Sequence, residues 1–168
     1  PQSVAVTFDT SSADVIVDSS YDPDKSITSR QLDGPKPADV DDLSFGPFDL
    51  KKVAVSSSSH NSARIGLAFP SISSASSANS FTNVLSSHLD QNVYQFTLGD
   101  KHGSLNVGTI DRSLFFGNIS WNAGNPAQGY WTTPFTWNGL SFHGTVDSTA
   151  SVILGNVADV KRVLMSME

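Results

Sequence analysis

Short apolar runs of strand period dominate the chain. Val4, Val6 and Phe8 alternate with smaller or polar residues, and Val15, Ile16 and Val17 form a continuous run. The stretch from Asp18 to Asp42 is polar and punctuated by Pro23, Gly34, Pro35 and Pro37, so it reads as loop. Leu43 to Val55 predicts a hairpin turning near Gly46-Pro47, followed by a polar loop, "SSSSHNSA". Further strands are expected at 93–98, 104–108, 117–121, 130–136 and 140–147. Gly99-Asp100, His102-Gly103 and Asn138-Gly139 stand between them as turn signals. Two segments have helical spacing. Residues 79–89 place Phe81, Val84, Leu85 and Leu89 on one face. Val157, Val160, Val163, Leu164 and Met167 do the same near the end, where Asn156 can cap the helix and Asp159 lies in its first turn. With no clear linker, residues 1–168 are expected to form one all-β domain with two short helices.

Two of these strands end on an acid. "SVAVTFDTSSADVIV" runs into Asp9, followed by Thr10, Ser11 and Ser12. "GTVDSTASVIL" repeats the arrangement with Asp147, Ser148 and Thr149. Two aspartates held close cannot both ionise easily and share a proton, so that one acts as base on a water and the other as acid on a carbonyl. The neighbouring hydroxyls would orient the carboxylates. Asp9 and Asp147 could equally be turn residues that satisfy backbone N–H groups. Asp9, between two apolar strands, is expected to be buried and bonded to backbone N–H groups or to Thr10 and Ser12.

Composition narrows the partners. The chain has 168 residues, 38% of them hydrophobic and 15% charged, which is enough for a real core. The net charge is −6, and only ten Lys and Arg are scattered along the chain, so nucleic acid is not an expected partner. No apolar run is long enough to insert in a membrane. The first residues do not form a signal peptide, and one already cleaved would leave no trace. The absence of cysteine removes disulfides, thiolate metal sites and cysteine nucleophiles. Ser-rich tracts, low charge and a glycosylation sequon at Asn118 point towards secretion.

Other chemistries find little support. None of His60, His88, His102 and His143 has a second ligand at the spacing a helical metal site needs, and neither a Gly-x-Ser-x-Gly elbow nor a Gly-rich phosphate loop occurs. No metal and no cofactor is expected. Trp121, Tyr130, Trp131 and Trp137 could stack on sugar faces, but aromatics in strand patterns usually fill a core. The serine runs 56–59 and 71–80 could carry O-glycans or form solvated loops.

The motifs taken together resemble pepsin-like aspartic peptidases of the fungal secreted type. "VTFDTSSADVIV" is similar to the family's first active-site segment, apolar-Phe-Asp-Thr-Gly-Ser. "YDPDKSITS" is similar to its Tyr-Asp-Pro-Ser-x-Ser-x-Thr segment, and "IGLAFPSISS" to its Leu-Gly-Leu-Ala-Tyr-Pro segment. "YQFTLGDKHGSLNVGTIDRSLFFGNISW" is similar to the strands around a Gly-Gly-Ile-Asp turn, and "GYWTTPF" fits the strand that follows. "GTVDSTASVILG" resembles the second active-site segment, apolar-Val-Asp-Thr-Gly-Thr-Ser. These matches occur in family order over most of the chain. The resemblance implies a shortened pepsin-like acid-protease β-barrel lobe, with Asp9 and Asp147 as candidate catalytic dyad and Thr10, Ser11, Ser148 and Thr149 as flanking turn residues.

Departures from the pattern bear on activity. The family glycine is Ser11 in the first turn, and the family Thr-Gly is Ser148-Thr149 in the second. A β-carbon at both positions is expected to crowd the dyad or push it apart. The family covers its cleft with a tyrosine-bearing hairpin, whereas Leu32 and Leu43 are separated here only by "DGPKPADVDD". Ala63 and the charged Arg64 stand in a stretch that the family keeps as Gly and apolar. The sequence opens just before the first acid turn and stops soon after the second, so parts of the family fold are expected to be missing. Residues 140–154 are then expected to fold back into the gap left by the missing opening strands, which would bring Asp147 near Asp9 in one sheet system and give a monomer rather than a homodimer. The function these features predict is that of a secreted, catalytically degenerate homologue that binds a protein or peptide, a receptor or a glycan. The alternative is a weak acid endopeptidase using Asp9 and Asp147.

Overall fold

The computed structural model describes residues 2–34, 36–58, 62–99 and 102–167. His60, part of the loop at 59–61, and the tip of the turn at Gly99-Asp100 lie outside them. Ten strands and two α-helices are present among the described residues, in agreement with a mostly β fold.

Six strands make the principal sheet: β1 (Thr7–Asp9), β2 (Val15–Val17), β3 (Arg30–Gln31), β4 (Asp39–Phe45), β5 (Phe48–Ser57) and β6 (Arg64–Gly66). Their order is β1-β6-β2-β5-β4-β3. The expected hairpin is the β4–β5 pair, with Phe45 opposite Phe48 and Gly46 at a φ of 54° in the turn. β6 lies between β1 and β2, parallel to the first and antiparallel to the second, so the chain crosses itself at the first acid turn. Two small sheets follow: β7 (Tyr94–Leu98) with β8 (Gly103–Val107), and β9 (Thr132–Trp137) with β10 (Leu140–Thr145).

The core explains why these runs become strands. Val15, Val17, Leu50, Val53, Val55, Ile65 and Leu67 are buried against α1 (Phe81–Ser86), from which Phe81 and Leu85 point inwards. Edge-on aromatic contacts run from Phe8 to Phe45 (5.7 Å) and from Phe45 to Phe81 (5.4 Å). The residue preceding Asp9 is therefore anchored in the core. α2 (Val157–Met165) forms as its periodicity predicts, and Asn156 Oδ1 accepts the Asp159 N–H at 3.0 Å as its cap.

Several expectations are corrected. The polar stretch 18–42 is not all loop, because β3 and the start of β4 lie within it. Residues 117–121 form no strand: Phe116 and Trp121 are exposed, and among the described residues no neighbouring strand supplies a ladder. The aromatic cluster is not a core. Trp121, Tyr130 and Trp137 are exposed, and Trp131 alone of the four turns inwards, donating to Leu67 O at 2.8 Å and packing on Phe69. Residues 140–145 pair with β9 rather than joining the principal sheet, since the partner they meet is their own hairpin strand.

A buried acid holds the polar stretch in place. Asp41 on β4 accepts from Tyr21 Oη (2.9 Å), Ser26 Oγ (2.9 Å), Thr28 Oγ1 and the Asp42 N–H (2.8 Å). Burial alone would raise its pKa, but the hydrogen bonds from Thr28, Ser26 and Tyr21 outweigh it and hold the carboxyl below the usual range. Asp14 is held low in the same way, its burial outweighed by bonds from Ser74 and Ser73. Folded-state values below the unfolded ones contribute stability above the unfolded pKa of about 3.9, and that stability is lost as pH falls through the folded value. The melting temperature is therefore expected to hold between about pH 7 and 5 and to fall steeply below about pH 4. Asp41→Asn should flatten the acid limb. Unfolding scans across pH check this, and an unchanged acid limb in the variant would remove Asp41 from the account.

Candidate active site

The first acid turn is built by three strands. β1 delivers Asp9, β2 carries the chain away, and β6 passes beneath. Leu67 N–H donates to Asp9 O (2.8 Å), Ala68 N–H to Ser12 O (2.8 Å) and Gly66 N–H to Asp14 O (3.0 Å). Asp9 is buried, at 4% exposure. Its Oδ1 accepts both the Ser11 N–H (2.8 Å) and the Ser11 hydroxyl (2.6 Å). The predicted burial is thus observed, as is the expected bond from a backbone N–H; the hydroxyl partner is Ser11 rather than Thr10 or Ser12. Oδ2 faces Arg64 Nε at 3.6 Å in an ion pair.

The second turn follows β10 and copies the first. Asp147 Oδ1 accepts the Thr149 N–H (2.8 Å) and the Thr149 hydroxyl (2.7 Å). Those bonds, the side-chain one foremost, hold the Asp147 carboxyl below the usual range. Asp147 is less enclosed than Asp9.

Thr10 and Ser148 join the two turns reciprocally. Thr10 N–H donates to Ser148 Oγ (3.1 Å) and Ser148 N–H to Thr10 Oγ1 (2.9 Å). The Thr10 hydroxyl donates to Val146 O (2.7 Å) and the Ser148 hydroxyl to Phe8 O (2.6 Å). The turns meet although 138 residues separate them in sequence. At the two positions where crowding is expected, Ser11 and Thr149 each fold back onto their own aspartate. Sequence reasoning places hydroxyls beside the acids, and these are the ones that orient them. It also marks Arg64 as a charge in an apolar position but not its partner. The signal available was that an Arg inside a strand needs a buried counter-charge nearby.

The flap position is short. β3 pairs with β4 through Arg30 opposite Val40 and Gln31 opposite Asp39, and Leu32 N–H bonds to Ala38 O at 2.9 Å. The connection between them, residues 32–38, contains no tyrosine and is too short for a hairpin arm that would reach across the acid turns. Among the described residues no group of three or more His, Asp or Glu is placed to hold a metal ion, and His88 sits edge-on to Phe48. Asn118 is exposed in an irregular segment.

Comparison with known proteins identifies the family. The model of the eukaryotic aspartyl protease family matches residues 36–161. Secreted aspartyl protease 1 of Malassezia globosa is 30% identical over 187 aligned residues, covering 97% of this chain and 47% of that protein. Aspergillopepsin-1 of Aspergillus clavatus is 31% identical over 114 residues, covering 65% of this chain and 27% of its own. Chymosin of Camelus dromedarius is 27% identical over 214 residues, covering 99% and 55%. The chain belongs to the eukaryotic aspartyl protease family, and its fold is a shortened pepsin-like β lobe. It spans about half the length of the curated relatives it matches along nearly all of its own.

Proposed function

We propose that this chain is a catalytically degenerate aspartic peptidase homologue that is secreted and acts as a single chain by binding a protein or peptide partner. The observation that carries the reading is the commitment of the carboxylates. In both turns a hydroxyl stands where the family has glycine and takes up Oδ1, and at Asp9 a guanidinium faces Oδ2. An acid–base pair needs one carboxyl that holds a proton and one with a lone pair aimed at water. The low-held Asp147 carboxyl leaves the acid's role to Asp9, whose Oδ2 instead faces Arg64. A short β3–β4 connection also leaves no lid to exclude water from a bound peptide. Secretion is supported by the name of the Malassezia relative and by the exposed Asn118 sequon, which we read as glycosylated.

A weak acid endopeptidase using Asp9 and Asp147 is the second reading. It is favoured by the reciprocal Thr10 and Ser148 bonds, which hold the two turns side by side. Calorimetric titration with a peptide inhibitor carrying a transition-state-like hydroxyl separates the two. No heat of binding is expected at pH 4; saturable binding lost in Asp147→Asn would favour the enzyme.

A further inference from the structure

Arg64 is placed where a strand residue should be apolar. It opens β6, opposite Thr7 of β1 on one side and Ile16 of β2 on the other. Its Nε is buried and has no hydrogen-bond partner among the described residues, although it lies 3.6 Å from Asp9 Oδ2. Its side chain is 43% exposed, against 5% for Asp9. The acid is thus enclosed, while the outer part of the guanidinium reaches solvent.

Burying a carboxylate is costly unless it is both paired and hydrogen-bonded. Ser11 supplies two bonds, and both go to Oδ1. The charge on Oδ2 is answered by Arg64. A buried Nε without an acceptor is itself unfavourable, so the two groups relieve each other. The gap is too short to admit a water between them, and the Nε is closed to solvent. A catalytic aspartate would instead direct Oδ2 at a water or at a second carboxyl.

We propose that Arg64 is an internal lock on the first acid turn: it makes Asp9 the fixed counter-ion of a structural pair and withdraws it from acid–base work. The lock deepens the degenerate reading above and rests on it. Arg64 acts through Asp9, as a positioning residue. Its guanidinium also gives the pair a solvent-facing cationic end beside the two turns.

The test uses the whole chain with Arg64→Gln, Asp9→Asn, their double variant and Arg64→Lys. Denaturant unfolding at neutral pH is combined with the ¹³C resonance of the Asp9 carboxyl. Each neutral single variant should lower the folding constant by about tenfold or more, since a buried partner is left alone. The double variant should lose no more than about threefold beyond the worse single, because the pair leaves together. The Asp9 resonance should move in Arg64→Gln and return towards the parent in Arg64→Lys, with Asp147 unmoved. If Arg64→Gln does not fold, recovery of a folded double variant supports the lock equally. Additive losses, an unfolded double variant or an unmoved Asp9 resonance would overturn it. Cleavage of peptides by the parent chain would remove the degenerate reading while leaving the coupling between Arg64 and Asp9 to be read separately.

Discussion

Gly66→Ala is expected to leave little folded protein. A β-carbon at this position would lie 2.5 Å from Ser12 O, 2.6 Å from Asp14 N and 2.7 Å from the Ala13 carbonyl carbon. All three are backbone atoms, so no side chain can rotate away. They are held there by the bonds that define the site, from Gly66 N–H to Asp14 O and from Ala68 N–H to Ser12 O. Relief would require β6 to move away from the first acid turn and take Leu67, almost fully buried, out of the core. Overpacking in a core typically costs about 1–3 kcal/mol, and a clash confined to backbone should reach about 3 kcal/mol or more. Denaturant unfolding measures it. Gly124→Ala is the control, since its β-carbon would make only an ordinary contact with Thr132 O at 3.5 Å. Equal stability of the two variants would mean that the crossing of β6 under the turn is wrongly described.

Asp41→Ala should be the other large loss. The carboxylate is 4% exposed and is the common acceptor for Tyr21, Ser26, Thr28 and the Asp42 backbone. Truncation strands several donors at once and leaves a gap behind them. Donors left unsatisfied in a buried site cost about 1–3 kcal/mol each, although the hydroxyls of half-buried Ser26 and exposed Thr28 can turn to water, so a total of about 3 kcal/mol is expected. Asp41→Asn keeps an acceptor and should lose less. Hydrogen exchange gives the local signature: amides of residues 21–31 should lose protection in Asp41→Ala before the core does. Uniform exchange along the chain would contradict the role of Asp41 as the anchor of that segment.

The two predictions also mark what the sequence displays and what it hides. Apolar periodicity suffices for the β4–β5 hairpin, α1 and α2, because each buries or repeats a face that can be read locally. The acid turns are legible as a pair because hydroxyls flank both acids at the same offset. β3 and the first half of β4 are not legible: "DVDD" carries no strand pattern, and its geometry comes from the β5 ladder and the Asp41 network. Trp121, Tyr130 and Trp137 mislead for the opposite reason. Aromatic residues predict burial only where a neighbouring surface exists, and here Trp131 takes the place against Phe69 and Tyr94. The Arg64–Asp9 pair escapes a linear reading because its oppositely charged ends stand 55 positions apart in sequence and parallel pairing of β1 with β6 unites them. The role of Gly66 becomes visible only when the crossing chain is in place.

Acid turns that are joined but chemically committed should not cleave peptides. Prolonged incubation of the whole chain with denatured protein at about pH 3 to 5, a range in which the paired carboxylates of this chemistry titrate, tests it most directly. Parallel samples contain a transition-state-mimicking aspartic peptidase inhibitor, and Asp9→Asn and Asp147→Asn variants run beside the parent. No inhibitor-sensitive cleavage is expected in any sample. Cleavage by the parent that the inhibitor blocks, and that both variants abolish, would contradict it.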